Sequence, residues 1–280
     1  MIPPPPPPAD AAVTVAFAVR RRGAGGGAPQ APGHAGGGPL RLLALPGTGL
    51  AAVVQSLPAA GFTEEALRSR LADAGELESC ARAHHAVVTA AAAHGPVVPL
   101  PLATLFTGDG SAAAALAVQE ARFLAALDRV TGRAEWSVKV YVGQDAAAGG
   151  GGPGPGGGGG GGAAYLERVR GRERERQARQ EAVGQVVRRV HETAAAFAVA
   201  AVRRTPHGPA VTGRERRQVL NGAYLVEEGR AADLAAAVRA LAGPHDGFAV
   251  HVDVSGPWVP YSFTGEPAAG PVDGTREPAL

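Results

Sequence analysis

Apolar and polar positions change period several times along this chain, and each change marks an element. Val13-Thr-Val-Ala-Phe-Ala-Val19 runs apolar as a first strand, behind a proline tract, residues 3–8, that suits a short polyproline II tail. The Gly-rich residues 20–39 read as loop. Residues 40–45 and 50–57 then predict two strands around Pro46-Gly47-Thr48-Gly49, where the Pro-Gly pair suits a type II turn. Thr63, ahead of Glu64 and Glu65, predicts a helix cap with acidic residues in the first turn. A longer helix is predicted over about residues 76–93, ending at His94-Gly95-Pro96. Residues 97–106 are apolar, but Pro99 and Pro101 cannot donate to a ladder, so this stretch reads as edge strand or packed loop. From Ser111, the positions Leu116, Phe123, Leu124, Leu127 and Val130 fall on one face of a helix that stops near Gly132.

The period then drops to two. Trp136, Val138, Val140 and Val142 point one way from a strand, and Glu135, Ser137, Lys139 and Tyr141 the other. Residues 149–162 are glycines interrupted only by Pro153 and Pro155, a linker between elements. Beyond it, residues 163–202 are helix-compatible apart from Gly171 and Gly184, about 60 Å if unbroken. The first half is charged, with Glu175 and Arg179 placed for an i,i+4 pair. The second half sets Val183, Val187, Val190, Ala194, Phe197 and Ala201 on one stripe, so the first half is expected to project beyond the core that the second covers. A short edge segment near residues 202–205, a strand over 219–226, a helix over 230–241 with Leu234, Val238 and Leu241 inward, and a strand over 248–254 complete the pattern. From Glu135 onward this is the split βαβ order of a ferredoxin-like fold. At 280 residues the chain is long enough for two modest domains or one large one, and the expected architecture, α+β, is divided into two. The first, 1–132, has a disordered Pro-rich start; the second, 133–280, is a modified ferredoxin-like fold with a long first helix and a disordered tail over 265–280.

Composition narrows the functional classes. Among 280 residues, 41 Gly and 24 Pro are clustered, so the folded part is smaller than the length suggests. Aromatic residues make up only 5%, so each one anchors a disproportionate share of buried surface. The formal charge of +2 identifies no acidic partner, and every cation except Lys139 is arginine. A single cysteine, Cys80, excludes an intramolecular disulfide and suits a reducing compartment. The start lacks a charged region followed by an apolar core, and no run of about 18 apolar residues occurs. The chain reads as cytoplasmic and soluble.

Candidate chemistry is sparse. Gly47-Thr48-Gly49-Leu50-Ala51-Ala52 fits a loose dinucleotide loop, but strand-like residues follow where a helix is needed. Cys80 and His84 are four apart on a predicted helix with His85 and His94 nearby, half of a metal site with no second cysteine. No Gly-x-Ser-x-Gly context supports a hydrolase. No cofactor, metal ion or enzymatic activity is expected. Six arginines lie within residues 168–179, but Glu167, Glu173, Glu175 and Glu181 sit among them. A solvated, ion-paired face is preferred there to a phosphate-binding one, and a nucleic-acid-binding or regulatory role is carried as the alternative. Gly256-Pro257-Trp258-Val259-Pro260-Tyr261-Ser262-Phe263 is stiffened by two prolines; it either folds back to close the core or presents an apolar docking patch.

Four segments carry both tryptophans, all four tyrosines and the lysine: Glu135-Trp-Ser-Val-Lys-Val-Tyr-Val142, Ala164-Tyr-Leu-Glu-Arg-Val-Arg170, Val219-Leu-Asn-Gly-Ala-Tyr-Leu-Val226 and Val254-Ser-Gly-Pro-Trp-Val-Pro-Tyr-Ser-Phe263. In this order and spacing, with the His84-His85-Ala-Val-Val region and residues 97–106, the chain resembles the gas vesicle accessory proteins of the GvpF/GvpL family. The resemblance implies a two-domain α+β protein without enzymatic activity, binding the small hydrophobic gas vesicle shell protein and other gas vesicle accessory proteins during assembly, with no nucleic-acid or membrane partner. The residues matching the family's motifs, as structural or interaction positions, are Trp136, Lys139, Tyr141, Tyr165, Asn221, Tyr224, Trp258, Tyr261 and Phe263. One departure is Pro101-Leu102-Ala103, where the family often carries Arg-Phe-Gly.

Overall fold

The computed structural model describes residues 12–23, 25–62, 68–69, 72–144, 162–206, 216–245 and 248–265. The proline tract, the Thr63 cap, the glycine run before Gly162 and the tail after Gly265 lie outside them. The chain is mixed α/β with two sheets and five helices among the described residues, and it divides into two compact units. One unit holds the residues up to Gly132 and those from Val259 onward; the other is Arg133–Trp258.

In the first unit, β1 (Ala12–Arg21) pairs antiparallel with β3 (Leu50–Pro58), which pairs with β2 (Arg41–Ala44); β4 (Val97–Pro99) and β5 (Leu105–Phe106) both add to β1. The helix α1 (Ala74–Ala92) packs Val87, Val88 and Ala91 on one face of this sheet, against Val15, Phe17 and Val53. Two helices, α2 (Asp109–Ala117) and α3 (Glu120–Val130), place Leu116, Phe123 and Leu127 on the other face, against Ala16, Ala52 and Val54. With both faces covered, β1 and β3 read as continuous apolar runs. A bulge at Phe17 inverts the side-chain parity of β1 midway.

Several sequence expectations change in detail. The α1 helix starts at Ala74 because Asp73 caps it, accepting from the Glu76 N–H at 2.8 Å. The single helix expected after Ser111 is two, broken at Val118 and Gln119. Six of the nine residues of α2 are Ala or Gly, and Leu116 is its one large apolar side chain, so it offers no periodic stripe to predict from. Pro46-Gly47 does form the type II turn: Gly47 has φ 72° and the Thr48 N–H donates to the Leu45 carbonyl at 3.3 Å. Gln55 ties the Gly-rich loop to β3 by accepting from the His34 N–H at 2.8 Å and donating to the Gly38 carbonyl at 2.9 Å.

The second unit has the element order β6 (Arg133–Gln144), α4 (Gly162–Ala195), β7 (Ala198–Arg203), β8 (Arg217–Glu227), α5 (Ala231–Arg239), β9 (Gly243–His245) and β10 (Phe248–Trp258). Its antiparallel sheet runs β7-β8-β6-β10-β9. One face is covered by α4 and α5: Val183, Val187, Val190, Ala194, Leu234 and Val238 pack on Val138, Val140, Leu220, Val250 and Val252. The long helix therefore ends earlier than its sequence suggests. Ala198-Val-Ala-Ala-Val202 satisfies either period, and the unpaired edge of β8 draws it into a strand, so Ala201 belongs to β7. The first half of α4 is exposed over residues 172–178, as its charge pattern predicts. The expected Glu175–Arg179 pair gives way to Arg176–Glu173 at 3.6 Å. Arg179 turns instead to the sheet, donating to the Gly143 carbonyl at 3.4 Å.

Candidate functional site

Trp136 and Tyr224 stand opposite one another on β6 and β8 and face α4. Tyr224 is fully buried, and its hydroxyl lies 2.8 Å from Nδ1 of His191 on α4. Burial pushes the Tyr224 phenol up to about 12, against the opposing pull of Arg203. Burial first, then the charge of Arg203, lowers His191. Both groups are thus neutral at pH 7, and they share one proton across a neutral hydrogen bond. To reach His191, the Tyr224 ring lies over Gly222, two residues back on the same face; a Cβ there would stand 2.6 Å from ring atoms. Trp136 has a similar neighbour. The Cβ of an alanine at position 256 would approach its indole to 2.8 Å, and Gly256 has φ 154° besides.

The opposite face of the sheet carries Lys139 between Asn221 and Asp253, and Tyr141 between Gln218 and His251. Tyr141, Asn221 and Glu135 are all buried. Glu135 meets Arg204 at 2.7 Å. The Asn221 carbonyl accepts from the Arg204 N–H at 2.8 Å, and its Nδ2 donates to the Thr205 carbonyl at 3.3 Å. These bonds hold the chain leaving β7 alongside β8, which gives Asn221 and Glu135 an architectural task. Tyr165 falls in the opening turns of α4, with its side chain outside the described residues.

The Gly256–Phe263 segment splits in behaviour. Trp258, the last residue of β10, is 47% exposed, and its Nε1 donates to Ser255 Oγ at 3.4 Å. In the first unit, Tyr261 is 38% exposed and stacks on His85, desolvation of the rest of its ring pushing its phenol up to about 12, while Phe263 is buried and its carbonyl accepts from Arg129 at 3.0 Å.

The remaining chemical candidates resolve structurally. His84 turns into the core against Phe17; burial first, then the His34 imidazole, pushes it down to about 4, against the pull of the Leu100 backbone. Cys80, one turn earlier, is partly exposed. Among the described residues, no three His, Cys, Asp or Glu side chains gather where a metal ion could bind. Gly47–Gly49 leads directly into β3, which begins at Leu50, where a dinucleotide loop needs a helix. Sequence reasoning missed His191, Gly222 and Gly256. The signal for the glycines was available, since each stands inside an aromatic motif where another residue would have extended the strand.

The comparisons converge. The family model described as gas vesicle synthesis protein GvpL/GvpF matches residues 14–265. Gas vesicle protein L of Streptomyces sp. (strain CB03234) is 35% identical over 243 residues, covering 85% of this chain and 87% of the relative. The crystal structure of gas vesicle protein GvpF from Anabaena sp. PCC7120 superposes with a TM-score of 0.59 at 13% identity, covering 92% of this chain and 98% of that one. That of GvpF from Microcystis aeruginosa gives 0.57 at 13% identity, covering 90% and 99%. At that identity, the two structures establish the fold alone.

Proposed function

The chain belongs to the GvpL/GvpF family of gas vesicle synthesis proteins, and from that premise we propose that it is a non-enzymatic accessory protein that binds the hydrophobic gas vesicle shell protein during assembly. A wall that lines a gas space exposes apolar surface on its subunits, and such surface aggregates in water unless a partner covers it. This protein supplies the cover, acting in the cytoplasm at growing vesicles alongside other accessory proteins. The observation that carries the reading is Trp258: a large indole left 47% exposed at the end of a strand, between Pro257 and Pro260, in a chain with few aromatics. An aromatic anchor already fixed by its backbone loses little freedom on binding. The β-α-β-β-α-β order of β6, α4, β7, β8, α5 and β10, with β6 inside the sheet beside β8 and β10, supports assigning this unit to a modified ferredoxin-like fold with a lengthened first helix.

The test is co-expression with a shell protein from the same genome. The shell protein is expected to move into the soluble fraction and to co-purify. Trp258→Ala, with an unchanged melting curve, is expected to lower the co-purified amount at least tenfold. A folded protein that leaves the shell protein aggregated overturns the reading. Unchanged binding by the Trp258→Ala variant removes this residue from the interface.

A further inference from the structure

Where β6 ends and β8 begins, these strands and α4 enclose an open pocket of ≈ 620 Å³. Four arginines line it: Arg176 and Arg179 from α4, Arg217 at the start of β8 and Arg216 just before it. Val142 and Val183 form a buried apolar floor. Helical spacing puts 176, 179 and 183 on one face of α4, and the Arg216 stem lies against Gly143, so the cations converge from two elements.

No carboxylate among the described residues lines this pocket. Elsewhere, Arg21, Arg41, Arg82, Arg133 and Arg204 each meet an Asp or Glu. Within the pocket, among the described residues, only Arg176 does, through Glu173 on the exposed side of α4. Like charges gathered over an apolar floor repel one another, and a concave site focuses their field on whatever enters. Planar guanidinium forks pair bidentately with phosphate or carboxylate. The volume exceeds that of a single small oxyanion and accommodates two linked ones.

The geometry points to a binding site for a polyvalent oxyanion, either a diphosphate group or a pair of neighbouring carboxylates. This goes beyond the shell-binding reading and stands or falls without it.

Calorimetric titration of the full chain tests it with two probes, inorganic pyrophosphate and a hexaglutamate peptide. One saturable site per chain is expected, weakening as salt rises. The Arg179→Gln/Arg217→Gln variant is expected to bind at least tenfold more weakly. Arg172→Gln/Arg174→Gln, on the exposed part of the same helix, is expected to bind as the parent does. Tighter binding of pyrophosphate assigns the site to a phosphorylated small molecule; tighter binding of the peptide assigns it to an acidic protein segment. Absence of binding by both probes overturns the proposal, and so does an equal loss in both variants, which would mean diffuse attraction. Should the double variant fail to fold, Arg216→Gln carries the same comparison alone.

Discussion

At the scale of single residues, the aromatic motifs are explained by what each aromatic ring needs from its neighbours. Asn221-Gly222-Ala223-Tyr224 contains a glycine because the Tyr224 ring occupies the space a Cβ would take, on its way to His191. Gly222→Ala must displace either the ring or the strand, at a cost of about 1–3 kcal/mol by overpacking. Tyr224→Phe removes the hydroxyl and leaves His191 Nδ1 without that partner, at a cost of about 1–2 kcal/mol. The two effects share one contact. In a double-mutant cycle followed by urea unfolding, the Tyr224→Phe cost is expected to shrink once Gly222 is Ala. Additive costs would show that the ring keeps its bond to His191 despite the added methyl. Gly256→Ala is expected to be worse than Gly222→Ala, because it combines an indole contact with a backbone angle that L-residues rarely adopt.

At the scale of elements, α4 separates what stabilises from what is merely helical. Val190 is fully buried in the stripe that covers the sheet, whereas Arg172 lies on the exposed first half. Val190→Ala is expected to cost about 2 kcal/mol in chemical denaturation, through lost burial and the cavity left behind. Arg172→Ala is expected to stay within about 0.5 kcal/mol. Equal costs would mean that the charged half is packed after all. The same helix shows how much was legible in the sequence. Its valine stripe and charged half could be read directly, as could the alternation of β6, because in each the period matches one buried face. Its end could not. Ala194-Ala195-Ala196-Phe197-Ala198 keeps a helical composition past the last turn, and the register with β8 decides where the strand begins. Likewise β4 and β5 are separate short strands because Ala103, at φ 63°, turns the chain between them, a conformation no propensity for alanine foretells. Of the site, the motif residues were visible one by one. The proximity of Arg179 to Arg216 and Arg217 was not, since it comes from sheet register and helix placement together.

At the scale of the whole molecule, each unit holds one histidine and one tyrosine whose desolvation favours the neutral form, and this sets how stability depends on pH. His84 in the first unit is held down to about 4 and His191 in the second is also lowered, so the unfolded chain binds protons that the folded chain refuses. The His84 contribution is complete above the ordinary histidine value near 6.5 and is lost as pH falls from there toward 4, and that of His191 is lost in the same direction. For His84, 4% exposed and held down from 6.5 to about 4, the loss amounts to about 3 kcal/mol. The tyrosines work in the opposite direction. Tyr224 and Tyr261 are raised to about 12, so their contribution is complete below the ordinary value near 10 and is lost as pH climbs toward 12. The expected melting temperature is therefore flat between about pH 7 and 9.5, with an acid limb and an alkaline limb on either side. His84→Leu should shrink the acid limb to the part owed to His191 and leave the alkaline one in place; Tyr224→Phe should shrink the alkaline limb to the part owed to Tyr261. A melting temperature that still falls equally in the His84→Leu chain between about pH 6.5 and 4 would assign the acid limb to other groups. Asp109, lowered by its hydrogen bond from Arg41, titrates below that window and cannot mimic it.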